Sequence, residues 1–338
     1  MEDANNETNN NNNDNRIEED NNDSGDDEEE EYKPDYIKLD KDTYERLKKN
    51  DSTLTDLEVP FSEFKGGKSF FHSIDWKRDG DCISGNNQLK MLQITFRGAC
   101  LGRPYDQHYI LGEEGNNLPT KQQLQDFFSC IYRNISINHI YIQSIRIDDE
   151  FGGALIEGLG GHPGLKRLEI GSQTAQAKLG RVVCTALGKV LKHQHSKLEL
   201  LDLPWVGLDD YGLGTLCDGL LDGSTLKRLR LYKNIQITSV GWRALSTVLR
   251  DTNCKLVELD VHYTDLDDES ANVLGGALRE STVKEINLSG QCQSISRTGW
   301  HTLLNRLSRT SIRSLDLGNN DIDSSSLCTL ADISSLGL

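Results

Sequence analysis

The histidine pair His193-Gln-His195 is the first place where residue types and spacing could support chemistry, in the form of a metal site. The pair lies between Lys192 and Lys197 at the end of a predicted helix, where cations are favoured by the helix dipole and flexible loops are ordinary. We therefore predict no metal and no cofactor. The sequence also lacks G-x-S-x-G, H-E-x-x-H and a phosphate-binding glycine loop followed by Lys-Ser/Thr. These absences predict that the chain is not an enzyme and has no catalytic residue.

Arginine and aromatic side chains suggest a different chemistry, the recognition of another protein. Arg228, Arg230 and Tyr232 alternate along one segment, and such residue types are enriched at the hot spots of protein interfaces. Replacing Arg230 and Tyr232 together by alanine is expected to abolish binding without altering stability. The alternative is that any solvated surface of this kind shows mixed charge. The predicted protein-binding residues are Glu169, Asp202, Trp205, Arg228, Arg230, Tyr232, Asp260 and His262.

These residues belong to a pattern of nine positions, seen most completely in Leu226-Lys-Arg-Leu229-Arg-Leu231-Tyr-Lys-Asn234. Apolar residues occupy positions one, four and six, and asparagine occupies position nine. Position one falls at residues 54, 89, 142, 165, 198, 226, 256, 283 and 312, and the spacing from residue 142 onward is typical of leucine-rich repeats. Because side chains alternate along a strand, positions four and six point inward, and positions three, five and seven face outward. Position five reads Glu58, Gln93, Arg146, Glu169, Asp202, Arg230, Asp260, Asn287 and Asp316.

The repeated unit predicts an α/β leucine-rich-repeat solenoid of about nine repeats. We expect a horseshoe with parallel strands on its concave face and helices on its convex face. The chain from Leu54 onward resembles the ribonuclease-inhibitor-like leucine-rich-repeat superfamily, whose long repeats pair a strand with a full helix. Thr264 and Gln291 replace the consensus asparagine at position nine, so we expect an incomplete ladder of turn residues.

The predicted function is that of a non-enzymatic scaffold binding a partner protein on the concave face, since a curved array offers a long preformed surface at little ordering cost. The resembled superfamily includes inhibitors of secreted nucleases, repeat regions of NOD-like receptors and GTPase-activating proteins of Ran. The last of these implies the alternative, a small-GTPase regulator resembling the Ran-activating branch.

Charge and composition divide the chain. Residues 1–31 carry −13 of the net charge of −16, so we predict a disordered, acidic, Asn-rich tail over residues 1–32. The tail is either a solubilising extension or a docking segment for a basic partner. We predict an N-terminal cap over residues 33–53 and a repeat domain over residues 54–338. An irregular insertion over residues 98–119 is either functional or simply tolerated, and the C-terminus resembles an incomplete repeat.

Local patterns also predict individual elements. The apolar spacing from Lys121 to Tyr132 predicts a helix, and capping residues near 209, 239, 267 and 296 predict later helices. The segment from Phe61 to Gly85 is irregular, and we expect an aromatic-rich loop or short strand there instead of a helix.

The remaining partner classes are excluded by composition. No Lys/Arg-rich run is present, so we expect no nucleic acid, and no apolar stretch approaches the roughly 20 residues of a membrane span. We also expect no small-molecule substrate. The eight cysteines are scattered singly, and the N-terminus lacks the pattern of a signal peptide. These features predict a cytoplasmic or nuclear protein that is not secreted.

Overall fold

Strands and helices alternate along the chain throughout the residues that the computed structural model describes. Those residues are 40–65, 68–71, 76–96, 121–143, 149–171, 178–221, 223–291 and 294–330, all within the unit Asp35–Leu338. Their strands are β1 Asp56–Lys65, β2 Lys68–Phe71, β3 Met91–Phe96, β4 His139–Gln143, β5 Arg167–Gly171, β6 Leu200–Asp202, β7 Arg228–Arg230, β8 Glu258–Asp260, β9 Glu285–Asn287 and β10 Ser314–Asp316. Their helices are α1 Lys41–Lys48, α2 Trp76–Gly85, α3 Lys121–Tyr132, α4 Asp149–Glu157, α5 Arg181–Lys192, α6 Asp210–Leu221, α7 Ser239–Arg250, α8 Asp268–Leu278, α9 Arg297–Leu307 and α10 Ser324–Cys328.

All described strands form one open sheet, in the order β10-β9-β8-β7-β6-β5-β4-β3-β1-β2. Neighbouring strands from β1 to β10 pair in parallel, and β2 adds an antiparallel strand at the β1 edge. Nine parallel strands, each followed by a crossover, confirm the predicted leucine-rich-repeat solenoid of about nine repeats. The tail over residues 1–32, the insertion over residues 98–119 and the C-terminal residues 331–338 lie outside the described residues.

The core lies between the sheet and the helices. Leu229 and Leu231, at positions four and six, are fully buried, whereas Arg228 and Arg230 on the same strand are partly exposed. Each helix contributes an apolar face to the same layer, as Trp242 does in α7. We call the opposite surface, formed by positions three, five and seven, the concave face.

The third repeat, which contains β4, begins five residues earlier than its sequence pattern predicted. Ile140 pairs with Leu168 and Ile142 with Ile170, so position one is Ile137 and not Ile142. Apolar residues at 137, 140 and 142 fit the pattern as well as those at 142, 145 and 147, and only strand pairing separates the two frames. Position five of this repeat is therefore Tyr141.

The expectation of no helix between Phe61 and Gly85 was half wrong. A short strand, β2, is present, but α2 begins at Trp76. Gly80 hid this helix in the sequence because glycine disfavours helix interiors. Its place in the fold is explained by packing, since a Cβ atom there would lie 2.9 Å from the Cys130 side chain of α3.

Side-chain amides at position nine tie consecutive repeats together. Asn234 donates hydrogen bonds to the carbonyls of Leu203 and Leu231, one in each of two repeats. The expectation of an incomplete ladder was wrong at Gln291, whose longer amide donates to the Val261 carbonyl at 2.7 Å. Thr264 donates only within its own repeat, to the Val261 carbonyl, and accepts from Gln291 of the next repeat at 3.5 Å. Among the described residues, Thr264 is the position-nine residue of this stretch that does not donate to the preceding repeat.

Aspartates at the starts of helices make a second connection between repeats. Asp210, in the first turn of α6, accepts hydrogen bonds from the backbone N–H groups of Thr238 and Gly241 at the start of α7. Asp268 of α8 accepts in the same way from Ser296 ahead of α9. Such bonds satisfy N–H groups that have no partner within their own helix.

Two further observations concern the described chain as a whole. The cysteines whose side chains are described, Cys82, Cys130, Cys184, Cys217, Cys254 and Cys328, are all free thiols. No described helix has the length and apolar character needed to cross a membrane.

Candidate functional site

Strand pairing brings four of the predicted binding residues into one row across the concave face. Glu169 of β5 pairs with Asp202 of β6, Asp202 with Arg230 of β7, and Arg230 with Asp260 of β8. Neighbouring strands lie about 4.8 Å apart, so side chains from repeats about thirty residues apart in sequence become direct neighbours. The row therefore places Glu169 and Asp202 side by side and one arginine between Asp202 and Asp260.

Arg230 is the centre of an ion-pair network in this row. Its Nη2 lies 2.7 Å from Oε1 of Glu258, its Nε donates to the same oxygen, and its Nη1 lies 3.7 Å from Oδ2 of Asp202. The arginine is thus committed to contacts within the chain. Its replacement would leave Asp202 without its nearby cation, so the expectation that stability would be unaltered does not fit this geometry.

Asp202 is a buried carboxyl group on the floor of the concave face. Its side chain is 8% exposed, and its Oδ1 has no hydrogen-bond partner among the described residues. Burial, with a smaller contribution from the nearby Glu169 and against the opposing effect of Arg230, raises the pKa of Asp202 to about 6. At neutral pH the group is mostly ionised, at a cost in free energy that the fold must offset.

Aromatic and imidazole rings extend the site along position seven. The rings of Tyr232 and His262 are stacked, with centroids 4.3 Å apart and planes within 12° of parallel. Asp260 fixes the orientation of His262, since Nδ1 of His262 lies 2.6 Å from Oδ1 of Asp260. Burial raises the pKa of Tyr232 to about 12, so its hydroxyl group stays protonated at neutral pH. The stack is a preorganised surface with a hydrogen-bonding edge.

Trp205 lies at position eight, on the turn that follows β6. Its backbone has φ of 53°, and the Nζ atom of Lys233, at the same position one repeat later, lies 5.0 Å from the centre of its ring. The turns extend the strand ladder, because the Trp205 N–H donates to the Tyr232 carbonyl. Trp205 therefore borders the concave row without being part of it.

Arg228 is the predicted cation that stays available. It lies at position three of β7, opposite Leu200 on one side and Glu258 on the other, and is partly exposed. Among the described residues it has no carboxylate within ion-pair distance, because Glu258 is bonded to Arg230. All eight predicted residues thus lie on β5 to β8 or on the turns that follow these strands.

Sequence reasoning missed the neighbouring residues His139 and Tyr141 because it placed the third repeat in the wrong frame. Nε2 of His139 lies 2.9 Å from Oε1 of Glu169, and this contact, helped by Arg167, lowers the pKa of Glu169. Tyr141 pairs with Glu169 in the concave row, and burial raises the pKa of its hydroxyl group. The spacing of Ile137, Ile140 and Ile142, which matches positions one, four and six, was the signal that could have revealed His139 and Tyr141.

The histidine pair lies apart from this row. His193 directly follows α5, and the centres of the His193 and His195 rings are 5.8 Å apart. Both side chains are exposed, and the described residues contain no group of three or more His, Cys, Asp or Glu side chains arranged to hold a metal ion.

Comparison with known proteins shows that the chain is similar to leucine-rich-repeat proteins, although no family model matches it. It is similar to ribonuclease inhibitor of Sus scrofa, with 28% identity over 215 residues, which are 62% of this chain and 45% of that protein. "NACHT, LRR and PYD domains-containing protein 12" of Mus musculus shows 37% identity over 107 residues, 31% of this chain and 10% of that one. "Protein phosphatase 1 regulatory subunit 37" of Homo sapiens shows 34% identity over 102 residues, 30% of this chain and 14% of that one. The chain spans less than half the length of each of these curated relatives.

Proposed function

We propose that this chain, a leucine-rich-repeat protein with ribonuclease-inhibitor-like repeats, is a non-enzymatic scaffold that binds a partner protein on the concave face of β5 to β8. One observation carries the proposal: Arg228, which has no ion-pair partner among the described residues, lies on β7, and the stacked rings of Tyr232 and His262 directly follow β7 and β8 on the same face. Arginine and tyrosine are among the residue types that dominate binding energy in protein interfaces. Similar proteins include an inhibitor and a phosphatase regulatory subunit, which supports a binding role.

The arrangement suits binding because its side chains are already ordered. His262 is fixed by Asp260 and stacked on Tyr232, so these rings lose little conformational freedom when a partner covers them. Around them, the Arg230 network holds Glu258 and Asp202 in place. A partner that meets this surface gains contacts without first ordering the loops and side chains that would otherwise oppose association.

Affinity capture with a paired substitution tests the proposal. We expect Arg228→Glu combined with Tyr232→Ala to remove at least one protein that the unaltered chain retains from a lysate of its source cells. Hot-spot losses of about 2 kcal/mol or more correspond to an affinity at least roughly thirtyfold weaker. These positions avoid Arg230, whose removal would disturb Asp202 inside the fold.

The control is Arg279→Glu at the end of α8, because that exposed arginine lies on the helix side of the array. It makes the same charge change and is expected to leave the captured proteins unaltered. Identical captured proteins for the paired variant and the unaltered chain would count against the concave face. If the protein that is lost is a small GTPase, GTP hydrolysis measured with and without the chain tests the regulatory alternative.

A further inference from the structure

Exposed apolar side chains gather along the edge where strands lead into helices. Among the large apolar side chains that the described chain exposes, more than half lie on this edge between α5 and α8. They occupy the turns after the strands and the first turns of the helices, away from the positions that form the concave face. Clusters of this kind mark binding surfaces more often than single exposed residues do. Their members are Val182, Tyr211, Ile235, Val240 and Tyr263.

A groove lies in the middle of this edge, and we call it the rim groove. Ile235 is 62% exposed and Tyr263 is 39% exposed, so apolar surface faces solvent here. The groove has a volume of about 270 Å³. Its lining residues are Trp205, Gly207, Lys233, Ile235, Gln236, Tyr263 and Asp265.

The backbone conformation at position eight costs conformational free energy for the side chains that line the groove. This position is left-handed in consecutive repeats, with φ of 53° at Trp205, 60° at Lys233 and 53° at Tyr263. The next two repeats have Gly290 and Asn319 there, residue types that adopt this conformation readily. Tryptophan, lysine and tyrosine adopt it at a cost, and Tyr263 gains little burial in return. Strain that the core does not require is typical of functional surfaces.

The size of the groove indicates what it binds. Pockets for small molecules and cofactors usually enclose about 300–1,000 Å³ and bury most of the ligand. The rim groove is smaller and lies open at the surface, between the rings of Trp205 and Tyr263 with Ile235 between them in sequence. It has room for one large side chain of another protein. Aromatic and long aliphatic side chains fill such pockets at interfaces.

Charge around the groove favours a basic neighbour for that side chain. Residues 204–213, 233–241 and 263–270, which form the turns and helix starts of the three repeats, contain six carboxylates and one lysine. Asp265 lines the groove itself, and Lys233 is the single cation that does so. An interface is favoured when potentials of opposite sign meet, so a lysine or arginine of the partner is preferred over an acidic residue.

We infer that the rim groove binds an extended segment of a partner protein, which inserts one aromatic or large aliphatic side chain between Trp205 and Tyr263 and places a lysine or arginine beside Asp265. The inference extends the proposed function, because the groove residues Lys233 and Tyr263 directly follow Tyr232 and His262 of the concave face. The partner's footprint then continues from the strands over the edge of the sheet.

Selection from a displayed library of random linear peptides tests this inference without knowledge of the partner. Peptides enriched on the unaltered chain are expected to share an aromatic or large aliphatic residue within two positions of a lysine or arginine. Their affinity is expected to fall at least tenfold for Ile235→Asp, which places a charge in the groove. The matched control is Ile135→Asp, because Ile135 is 75% exposed and follows α3 on the opposite edge.

Two additional variants separate the possible outcomes. Asp265→Lys leaves the apolar groove intact and is expected to weaken the same peptides at least tenfold, so the test does not depend on the folding of one variant. Arg279→Glu, on the helix side of the array, is expected to leave peptide affinity unchanged. Peptide binding to the groove is measured separately from the lysate capture that tests the concave face, so a failure of one and a failure of the other are distinguished. No enrichment over the Ile235→Asp variant, or enriched peptides with acidic residues beside the apolar one, would overturn the inference.

Discussion

A single buried carboxyl group, that of Asp202, links the concave face to the stability of the protein. Burial raises its pKa from 3.8 to about 6, with Glu169 adding to the shift. A group with a raised pKa binds protons more tightly in the folded state than in the unfolded state. The contribution of Asp202 to the free energy of unfolding is therefore highest below pH 3.8 and falls as the pH rises through 6. At neutral pH this contribution is lower by about 3 kcal/mol.

We predict that Asp202→Asn becomes less destabilising, or more stabilising, as the pH rises. Between pH 5 and pH 7.5 the free energy of unfolding of the variant should gain on the order of 1 kcal/mol relative to the unaltered protein, because the variant has no charge to bury. Urea unfolding of both proteins at the two pH values measures the difference. The matched control is Asp316→Asn, at the exposed end of the same row. A difference that stays constant with pH would contradict the raised pKa.

For individual residues, the sequence predicted which side chains share a face of the sheet but not which of them contact one another. Alternation along a strand placed Arg228 and Arg230 on the concave face. Only contacts from adjacent strands separate the two arginines, since Arg230 pairs with Glu258 and Asp202. The positions of those carboxylates are set by strand registers that join residues 28 and 30 positions apart. Tyr141 was missed for the same reason, since its register with Glu169 is set by pairing between strands.

In three consecutive repeats, a buried polar residue holds the turn from helix to strand. Asn86 and Asn134 each lie three residues before position one. Asn86 donates to the Leu47 carbonyl near the end of α1, and Asn134 donates to the Ile83 carbonyl near the end of α2, so each bond reaches the helix of the preceding repeat. His162 occupies the same place ahead of Leu165, with its Nε2 3.2 Å from the Ile131 carbonyl oxygen and its Nδ1 accepting from the Gly164 N–H. The imidazole therefore stands in for an asparagine amide.

We predict that His162→Asn retains the turn and removes a sensitivity to acid. Burial lowers the pKa of His162 below 6.5, so the folded state resists protonation and loses stability relative to the unfolded state as the pH falls through 6.5. Near pH 7.5, the variant should unfold within about 1 kcal/mol of the unaltered protein, the typical net value of one hydrogen bond. At pH 5 its relative stability should be higher. Urea unfolding midpoints of both proteins at the two pH values measure the difference in stability. The same difference at both pH values would show that His162 does not titrate as described.

Helices were predicted correctly where apolar residues were regularly spaced, and they were missed where a small residue allowed two helices to pack closely. Helix α3 follows the spacing of Phe127, Phe128 and Ile131, all fully buried. Helix α2 was missed because Gly80 is a poor helix former, yet its lack of a Cβ atom lets the helix approach α3 closely. Gln291 was misjudged because its reach across the turn depends on the neighbouring repeat.

Among the described helices and strands, each repeat contacts only its neighbours in sequence. Every helix or strand in contact with another of its own kind lies one place away in the chain order, apart from β1, which pairs with both β2 and β3. The amides of Asn234 and Asn320 and the carboxylates of Asp210 and Asp268 likewise join adjacent repeats. This arrangement explains why the periodic sequence was sufficient to predict the solenoid, since no contact between distant repeats was needed to specify it.

The same arrangement predicts that a core defect stays local. Leu315 of β10 is buried at 7% exposure, and Leu315→Ala removes core volume at a cost of about 2–5 kcal/mol. In an array stabilised by nearest-neighbour contacts, this cost should accelerate amide hydrogen exchange in α9, β9 and β10 while leaving β4 and α5 unchanged. Hydrogen exchange followed by mass spectrometry measures each segment separately.

A matched substitution within the array distinguishes local from global effects. Leu168→Ala in β5 removes the same side chain at position four of an inner repeat, where Leu168 is fully buried. It should accelerate exchange on both sides, in β4 and β6, because that repeat has two neighbours, whereas the effect of Leu315→Ala on the described residues extends towards β9 alone. Equal acceleration across all repeats by either variant would mean that the array unfolds as one cooperative unit, and coupling would then reach from the last described strand to the concave site.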